Sequence, residues 1–268
     1  MVIFEKEIFF GELIMYIFET HLHTIEGSAC SSTPGVNYID YMKKLGYSGI
    51  IVTDHFFNGN SAVPRDLPWD KRVELYCKGY EHARAAAGDD FVVLFGIEYN
   101  FEGDEYLLYG VDKNWLLANP DIMKKDRYEV YKTVHEAGAI MIHAHPYRER
   151  DYLKAIHLTK NVCDGAEVYN ASNPDYQNAL GYQYAVENNM RMAAGSDIHN
   201  FGLKNMGGMG FDHPIRTIEE YVEAFMAGEG IPLYKSDALD PSAEFKPVSG
   251  NAALTNPVKE PSLEVIYH

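Results

Sequence analysis

The chain has 268 residues, enough for one large α/β domain, and is 46% hydrophobic and 23% charged, the composition of an ordinary globular protein. Its 39 acidic against 23 basic residues give a formal charge of −16, which repels a nucleic-acid backbone and argues against a DNA or RNA polymer as partner. No run of apolar residues is long enough for a membrane helix, and the three scattered cysteines, Cys30, Cys77 and Cys163, suggest neither a disulfide framework nor a cysteine-based zinc site, so a soluble cytoplasmic protein is expected.

In chain order, residues 1–14 read as an extension outside the fold, without the features of a secretory signal. Strands are expected at Tyr16–Thr20, Gly49–Thr53, Phe91–Ile97, Tyr106–Val111, Ala139–Ile142, Gly165–Val168 and Arg191–Ala194. Helices are expected between them, around Val36–Leu45, Trp69–Ala87, Pro120–Ala137, Pro174–Asn188 and Ile218–Ala227. Gly46, Gly88 and Gly138 follow three of these helices, where a residue at positive φ commonly closes the last turn. This alternation predicts a parallel sheet or barrel with helices outside, over residues 15–235. From residue 236 to 268 several prolines and small residues without a sustained period read as an extended tail that either wraps the domain or moves freely.

Metal-binding residue types recur at the ends of successive strands: His21 and His23, Asp54 and His55, Glu98, Glu105, His143 and His145, then Asp197 and His199. In a barrel such ends share one rim. On an extended chain residues i and i+2 point to one side, so His21 and His23 can present both imidazoles to one ion. A single histidine is more often a packed or surface residue than a ligand, but the coincidence across strand ends favours a site. Mixed imidazole and carboxylate ligands suit zinc, iron or manganese in an open, hydrolytic centre.

The segments ETHLHT (19–24), GIIVTDH (49–55), GIEYNFEGDEYLLYG (96–110), MIHAHPYR (141–148), GAEVYN (165–170) and GSDIHN (195–200) together resemble the PHP (polymerase and histidinol phosphatase) superfamily of metal-dependent phosphoesterases. The resemblance implies a distorted (βα)7 barrel holding two or three divalent ions (Mn, Fe or Zn). It implies that His21, His23 and Asp197 hold one ion, that Glu98 bridges it to a second bound by His145, and that His55 and His199 hold a third. Asp54 would orient a ligand imidazole. Two departures stand out. Glu105 replaces a histidine common in relatives, and Ser28 and Ala29 stand where relatives supply an Asp or His, leaving Glu26 as the nearby carboxylate assigned to the third ion.

The expected chemistry is hydrolysis of a phosphomonoester of a small metabolite, similar to histidinol phosphate or a nucleotide, through a metal-bridging hydroxide. Asp197 and His199 mark the rim that protonates the leaving group. Arg148 is either a planar donor fork for phosphate or a surface arginine. His143, Tyr169 and Asn170 are assigned to support or contact with substrate, packing being the alternative for Tyr169 and Asn170. His82, His135, His157, His213 and His268 are expected to bind no metal. Competing readings are phosphodiester or phosphotyrosine hydrolysis on the same fold, an amidohydrolase, and a silent module used for protein interaction; the sequence leaves the oligomeric state open.

Overall fold

A computed structural model of the chain describes residues 15–268, so the expectation for residues 1–14 lies outside the described residues. The first half runs β1 (Tyr16–Leu22), α1 (Tyr38–Leu45), β2 (Gly49–Val52), α2 (Trp69–Tyr76), α3 (Lys78–Ala86), β3 (Val92–Phe101), β4 (Asp104–Tyr109), α4 (Lys113–Ala118) and α5 (Arg127–Glu136). It continues through β5 (Ile140–His143), β6 (Ala155–Leu158), β7 (Gly165–Asn170), α6 (Asp175–Glu187), β8 (Arg191–Gly195), β9 (Met206–Phe211), α7 (Ile218–Ala227), β10 (Ile231–Lys235), β11 (Lys246–Pro247), α8 (Ala252–Thr255) and β12 (Glu264–Tyr267).

Ten strands form one mixed sheet in the order β11-β10-β9-β1-β2-β3-β4-β5-β7-β8. The β1-β2-β3 and β5-β7-β8 pairs are parallel, whereas β4 is antiparallel to both neighbours and β9 is antiparallel to β1 and β10. Strands covered on both faces read as continuous apolar runs, and β2, GIIV, is buried throughout. The sheet curls until β8 meets β1: Thr20 Oγ1 donates to the Ala194 carbonyl at 2.8 Å. Backbone contact between β8 and β9 at this closure requires glycine, because a Cβ on Gly207 would lie 2.3 Å from the Gly195 carbonyl oxygen.

Helices seal the outside. In α7 Tyr221, Val222 and Phe225 are buried against Phe211 and Tyr109, and full burial of each large side chain contributes roughly 1.5–3 kcal/mol. Thr217 caps its first turn, and Gly228, at φ 78°, closes its last. Gly46, Gly88 and Gly138 also adopt positive φ after their helices. The single helix expected over Trp69–Ala87 is broken at Cys77, whose ψ of −3° interrupts the helical run between α2 and α3. The helix expected from Pro120 begins at Arg127, because Asp126 and Glu129 form a capping box there.

The segment after residue 235 packs on the domain and carries regular structure, which its lack of periodicity hid. Its β11 extends the sheet beside β10, and β12 pairs in parallel with β6. Ser262 bonds both oxygens of Glu149 through its N–H (2.6 Å) and hydroxyl (2.5 Å), tying this segment to the loop after β5. No helix among the described residues is long and apolar enough to cross a membrane.

Candidate metal centre

The strand ends converge as their alternation predicts. Leu22 at the end of β1 bridges to Ile198, and the His23 N–H donates to the Ile198 carbonyl, which joins the first and last motifs. Beyond β2, His55 bridges to Glu98. Because β4 runs antiparallel, Glu105 at its start faces the same rim as the ends of β3 and β5. His145 and Asp197 adopt left-handed backbone, at φ 28° and 55°, a conformation that costs non-glycine residues of order 1–3 kcal/mol and clusters at functional sites.

Glu98 is the hub. Its Oε1 lies 3.0 Å from His21 Nε2 and 3.2 Å from His145 Nε2, while Oε2 lies 2.5 Å from His55 Nδ1 and 3.5 Å from His23 Nε2. Asp197 Oδ1 is 3.2 Å from His23 Nε2, 3.6 Å from His21 Nε2 and 3.5 Å from His199 Nδ1. Glu105 is 3.7 Å from His55 Nδ1 and 3.5 Å from His145 Nε2. Potential ligand atoms fall within 4.8 Å of one another in four overlapping sets: His23–His55–His199, His21–His23–Glu98, His21–His145–Asp197 and His55–Glu98–Glu105.

The residues present fit divalent ions. His21 Nε2, His23 Nε2, His55 Nδ1, Glu98 Oε2 and Asp197 Oδ1 are buried and make no hydrogen bond despite their proximity. Five such atoms in one pocket would leave a costly set of unmet polar groups unless a cation shares them.

The far sides of the imidazoles are fixed. His21 Nδ1 lies 3.0 Å from Glu167 Oε1, so its N–H points there and its Nε2 lone pair faces the cluster. His23 Nδ1 donates to Ser28 Oγ at 3.0 Å; Ser28 donates onward to Asp54 Oδ1 at 2.7 Å and accepts the His55 N–H at 2.9 Å. Asp54 also accepts the Thr24 N–H and hydroxyl, both at 2.6 Å, and so orients His23 through Ser28.

Charge follows the packing. Burial would raise the Glu98 pKa, but His55 and His21 hold it well below the usual carboxylate range. Asp197 is likewise held low against burial by His21 and Arg148. Burial, with His199 and His55 nearby, keeps His23 neutral, whereas Glu167, Asp197 and Glu98 raise His21 despite its burial. An imidazole ligates an ion through a nitrogen without a proton, so an ion at His21 would require the Nδ1–H tautomer that Glu167 supports.

Arg148 reaches the cluster: its Nη1 lies 3.2 Å from Asp197 Oδ2 and 3.0 Å from His145 Nε2. Asn170 Nδ2 donates to Glu167 Oε2 at 2.9 Å and lies 3.4 Å from Asp197 Oδ2. A register shift in β7 between Glu167 and Tyr169 lets Glu167 and Asn170 meet this side together. Tyr169 instead packs in the core near Tyr234, at a centroid distance of 6.0 Å. His143 stacks on Tyr106 at 4.9 Å outside the ligand sets, and burial pushes its pKa down to about 3, so it is neutral.

Glu26 does not join the centre. Its Oε2 accepts the Gly35 N–H at 3.1 Å and its Oε1 lies 3.1 Å from His82 Nδ1, which turns the carboxylate toward α3. Among the described residues Glu26 belongs to no ligand set, unlike the other residues assigned to metal. Cys30 lies in the same loop, outside the ligand sets; burial would raise its pKa, but the influence of His199 and His55 brings it down to about 6. Sequence reasoning missed Ser28 and Glu167. A glutamate inside the apolar strand GAEVYN was a signal for Glu167; a serine in a loop offered none for Ser28. Among the described residues, His82, His135, His157, His213 and His268 belong to no ligand set.

Neither a family model nor any curated protein matches the sequence. Solved structures do. A two-domain protein from Bacteroides vulgatus, described as containing a predicted PHP-like metal-dependent phosphoesterase, superimposes with a TM-score of 0.59 at 15% identity over 82% of this chain. The fold is that of the PHP-like phosphoesterases. This chain spans 64% of the Bacteroides protein's length. A lesion-specific endonuclease from Pyrococcus furiosus superimposes with a TM-score of 0.53 at 13% identity, over 95% of this chain and 75% of its own. A protein from Chromobacterium violaceum described as an amidohydrolase, with bound sulfate and no metal, matches at 0.51 and 15% identity, over 78% of this chain and 96% of its own.

Proposed function

We propose that this chain is a metal-dependent phosphoesterase of the PHP superfamily, with the curled sheet as its distorted (βα)7 barrel and a phosphomonoester of a small metabolite as its substrate. The observation that carries the reading is the convergence of buried, unpartnered imidazole and carboxylate atoms on one point beside Arg148. His21, His23 and Asp197 would hold one ion, Glu98 would bridge to a second held by His145 and Glu105, and His55 and His199 would hold a third. Two or three divalent ions (Mn, Fe or Zn) would supply Lewis acidity and activate water.

The chain's own residues do the remainder. Glu167 and the Ser28–Asp54 pair fix the imidazole tautomers. Arg148, already beside Asp197, is placed to hold phosphoryl oxygens with its donor fork, and Asn170 steadies Asp197 and Glu167. The rim beside Asp197 and His199 is where the leaving oxygen would receive its proton. The catalytic unit in this proposal is residues 15–235, with 236–268 strapped across it. Three free cysteines fit a reducing cytoplasm.

The test is phosphate release from phosphomonoesters after chelation and reloading with manganese, iron or zinc, beside a phosphodiester, a phosphotyrosine peptide and a DNA oligonucleotide. The net charge of −16 favours the small monoesters, and the DNA arm is included because one protein of this fold is an endonuclease. Metal-dependent release from monoesters supports the proposal; cleavage confined to DNA or diesters replaces its substrate class.

A further inference from the structure

We propose that Glu149 and Ser262 are positioning residues for Arg148, through which the C-terminal segment sets the grip on the substrate's phosphate. The inference rests on the reading of Arg148 as the group that binds phosphoryl oxygens.

Arg148, Glu149 and Arg150 lie between β5 and β6 in irregular backbone. The Arg148 N–H donates to the His145 carbonyl at 2.8 Å and the Leu153 N–H to the Arg150 carbonyl at 3.0 Å, both of them local bonds. The hold from other elements runs through side chains. Glu149 accepts three donors: the Ser262 N–H on Oε1 at 2.6 Å, and on Oε2 the Ser262 hydroxyl at 2.5 Å and the Tyr176 hydroxyl at 3.0 Å. Bonds to an ionised acceptor are shorter and stronger than those between neutral groups. Arg148 is the next residue in the chain, and its Nη1 reaches Asp197 Oδ2 at 3.2 Å.

The C-terminal segment is itself firmly placed. Tyr176 stands in the first turn of α6, and Lys259 Nζ sits 3.5 Å from the centre of its ring. Leu254 of α8 is buried in the main core, and Leu263 and Val265 pack against that core. Glu264–Tyr267 pair with Ala155–Leu158, and the His268 N–H donates to the Leu158 carbonyl at 2.9 Å. One segment therefore grips the arginine loop at Glu149 and again at its exit into β6. Charge and geometry make opposite predictions for Glu149. It is an anion next to Arg148, so on charge alone its removal would strengthen phosphate binding. As an anchor, its removal frees the loop, and the guanidinium must be ordered afresh each time it meets phosphate.

The experiment measures kcat and KM for a phosphomonoester, and the affinity for inorganic phosphate by calorimetry, on metal-loaded full-length protein, Glu149→Ala, Ser262→Ala and Ser262→Thr, with the metal content of each. Ser262 is exposed, so a threonine methyl has room and the hydroxyl bond is kept. The expected result is KM and the phosphate Kd raised about tenfold in Glu149→Ala and about threefold in Ser262→Ala, with kcat and metal content unchanged, and both restored in Ser262→Thr. In an Arg148→Met background Ser262→Ala adds nothing, because its effect passes through the guanidinium. Unchanged or tighter phosphate binding in both alanine variants, or the full Ser262→Ala effect persisting without Arg148, overturns this inference and leaves the phosphoesterase reading standing. A fall of kcat and metal content in step with the rise in KM marks a merely structural role and overturns it too. Metal-loaded unsubstituted protein that neither binds phosphate nor hydrolyses any phosphomonoester removes the phosphoesterase reading and this inference with it.

Discussion

Glu167→Gln tests whether the support of His21 matters. Glu167 is buried and accepts on both oxygens: Oε1 faces His21 Nδ1 at 3.0 Å, and Oε2 takes the His145 N–H and Asn170 Nδ2, both at 2.9 Å. A glutamine has the same shape but replaces one acceptor by a donor. Turned one way, its NH2 meets His21 Nδ1–H and drives the proton to Nε2, the atom that faces the cluster. Turned the other way, it meets two donors. The first orientation takes the Nε2 lone pair of His21 away from the cluster, and the second leaves buried hydrogen bonds unmade, at about 1–3 kcal/mol each. Loss of such imidazole support weakens metal binding roughly 10–100-fold, or about 1.4–2.7 kcal/mol, which agrees with that cost. The assay is zinc or manganese titration against a competing chelator, with urea unfolding of the metal-free protein beside it. Metal affinity within about threefold of the unsubstituted protein would refute the reasoning.

Glu19 gives a pH dependence. It is fully buried, accepts the N–H groups of His21 (2.9 Å) and Ser196 (2.8 Å), and burial raises its pKa from 4.5 to about 7. A folded-state pKa above the unfolded value means the folded protein binds the proton more tightly, so this contribution is fully present below pH 4.5 and is lost as pH rises through 7. The loss is about 3 kcal/mol, and urea unfolding of chelated protein between pH 4.5 and 8 should show Glu19→Gln flatter by that amount; parallel profiles would contradict it. Arg148→Lys keeps the charge and loses the fork, so KM for a phosphomonoester should rise about tenfold with a smaller change in kcat; an unchanged KM would remove Arg148 from substrate binding. Glu26→Gln should leave metal stoichiometry unchanged by elemental analysis, and loss of an ion would restore Glu26 as a ligand.

What the sequence made legible follows from local geometry. His21 and His23 share a side because strands alternate, and the TDH, HAHP and GSDIH segments end buried strands, so their side chains meet at one rim. β9, MGGMGF, was hidden because glycine disfavours strands; the glycines are there for the close approach of Gly207 to Gly195 and of Gly208 to Phe18. β4 was found, but its antiparallel direction depends on the tight Glu102–Gly103 turn, with both residues at positive φ. Glu26 lies in a loop, and its turn away from the histidines is set by Gly35 and His82, partners 9 and 56 residues away in the chain. Strand ends are readable from periodicity; loops that close over them are not.

The central claim is tested most directly by Asp197→Asn, because Asp197 touches His21, His23, His199 and Arg148 together. Bound metal and phosphomonoester turnover are measured on the same samples of protein and variant, before and after chelation. The account predicts turnover that disappears on chelation, returns with metal, and is lost in Asp197→Asn together with at least one bound ion while the fold persists by circular dichroism. Full turnover in the variant, or turnover untouched by complete removal of metal, would contradict it.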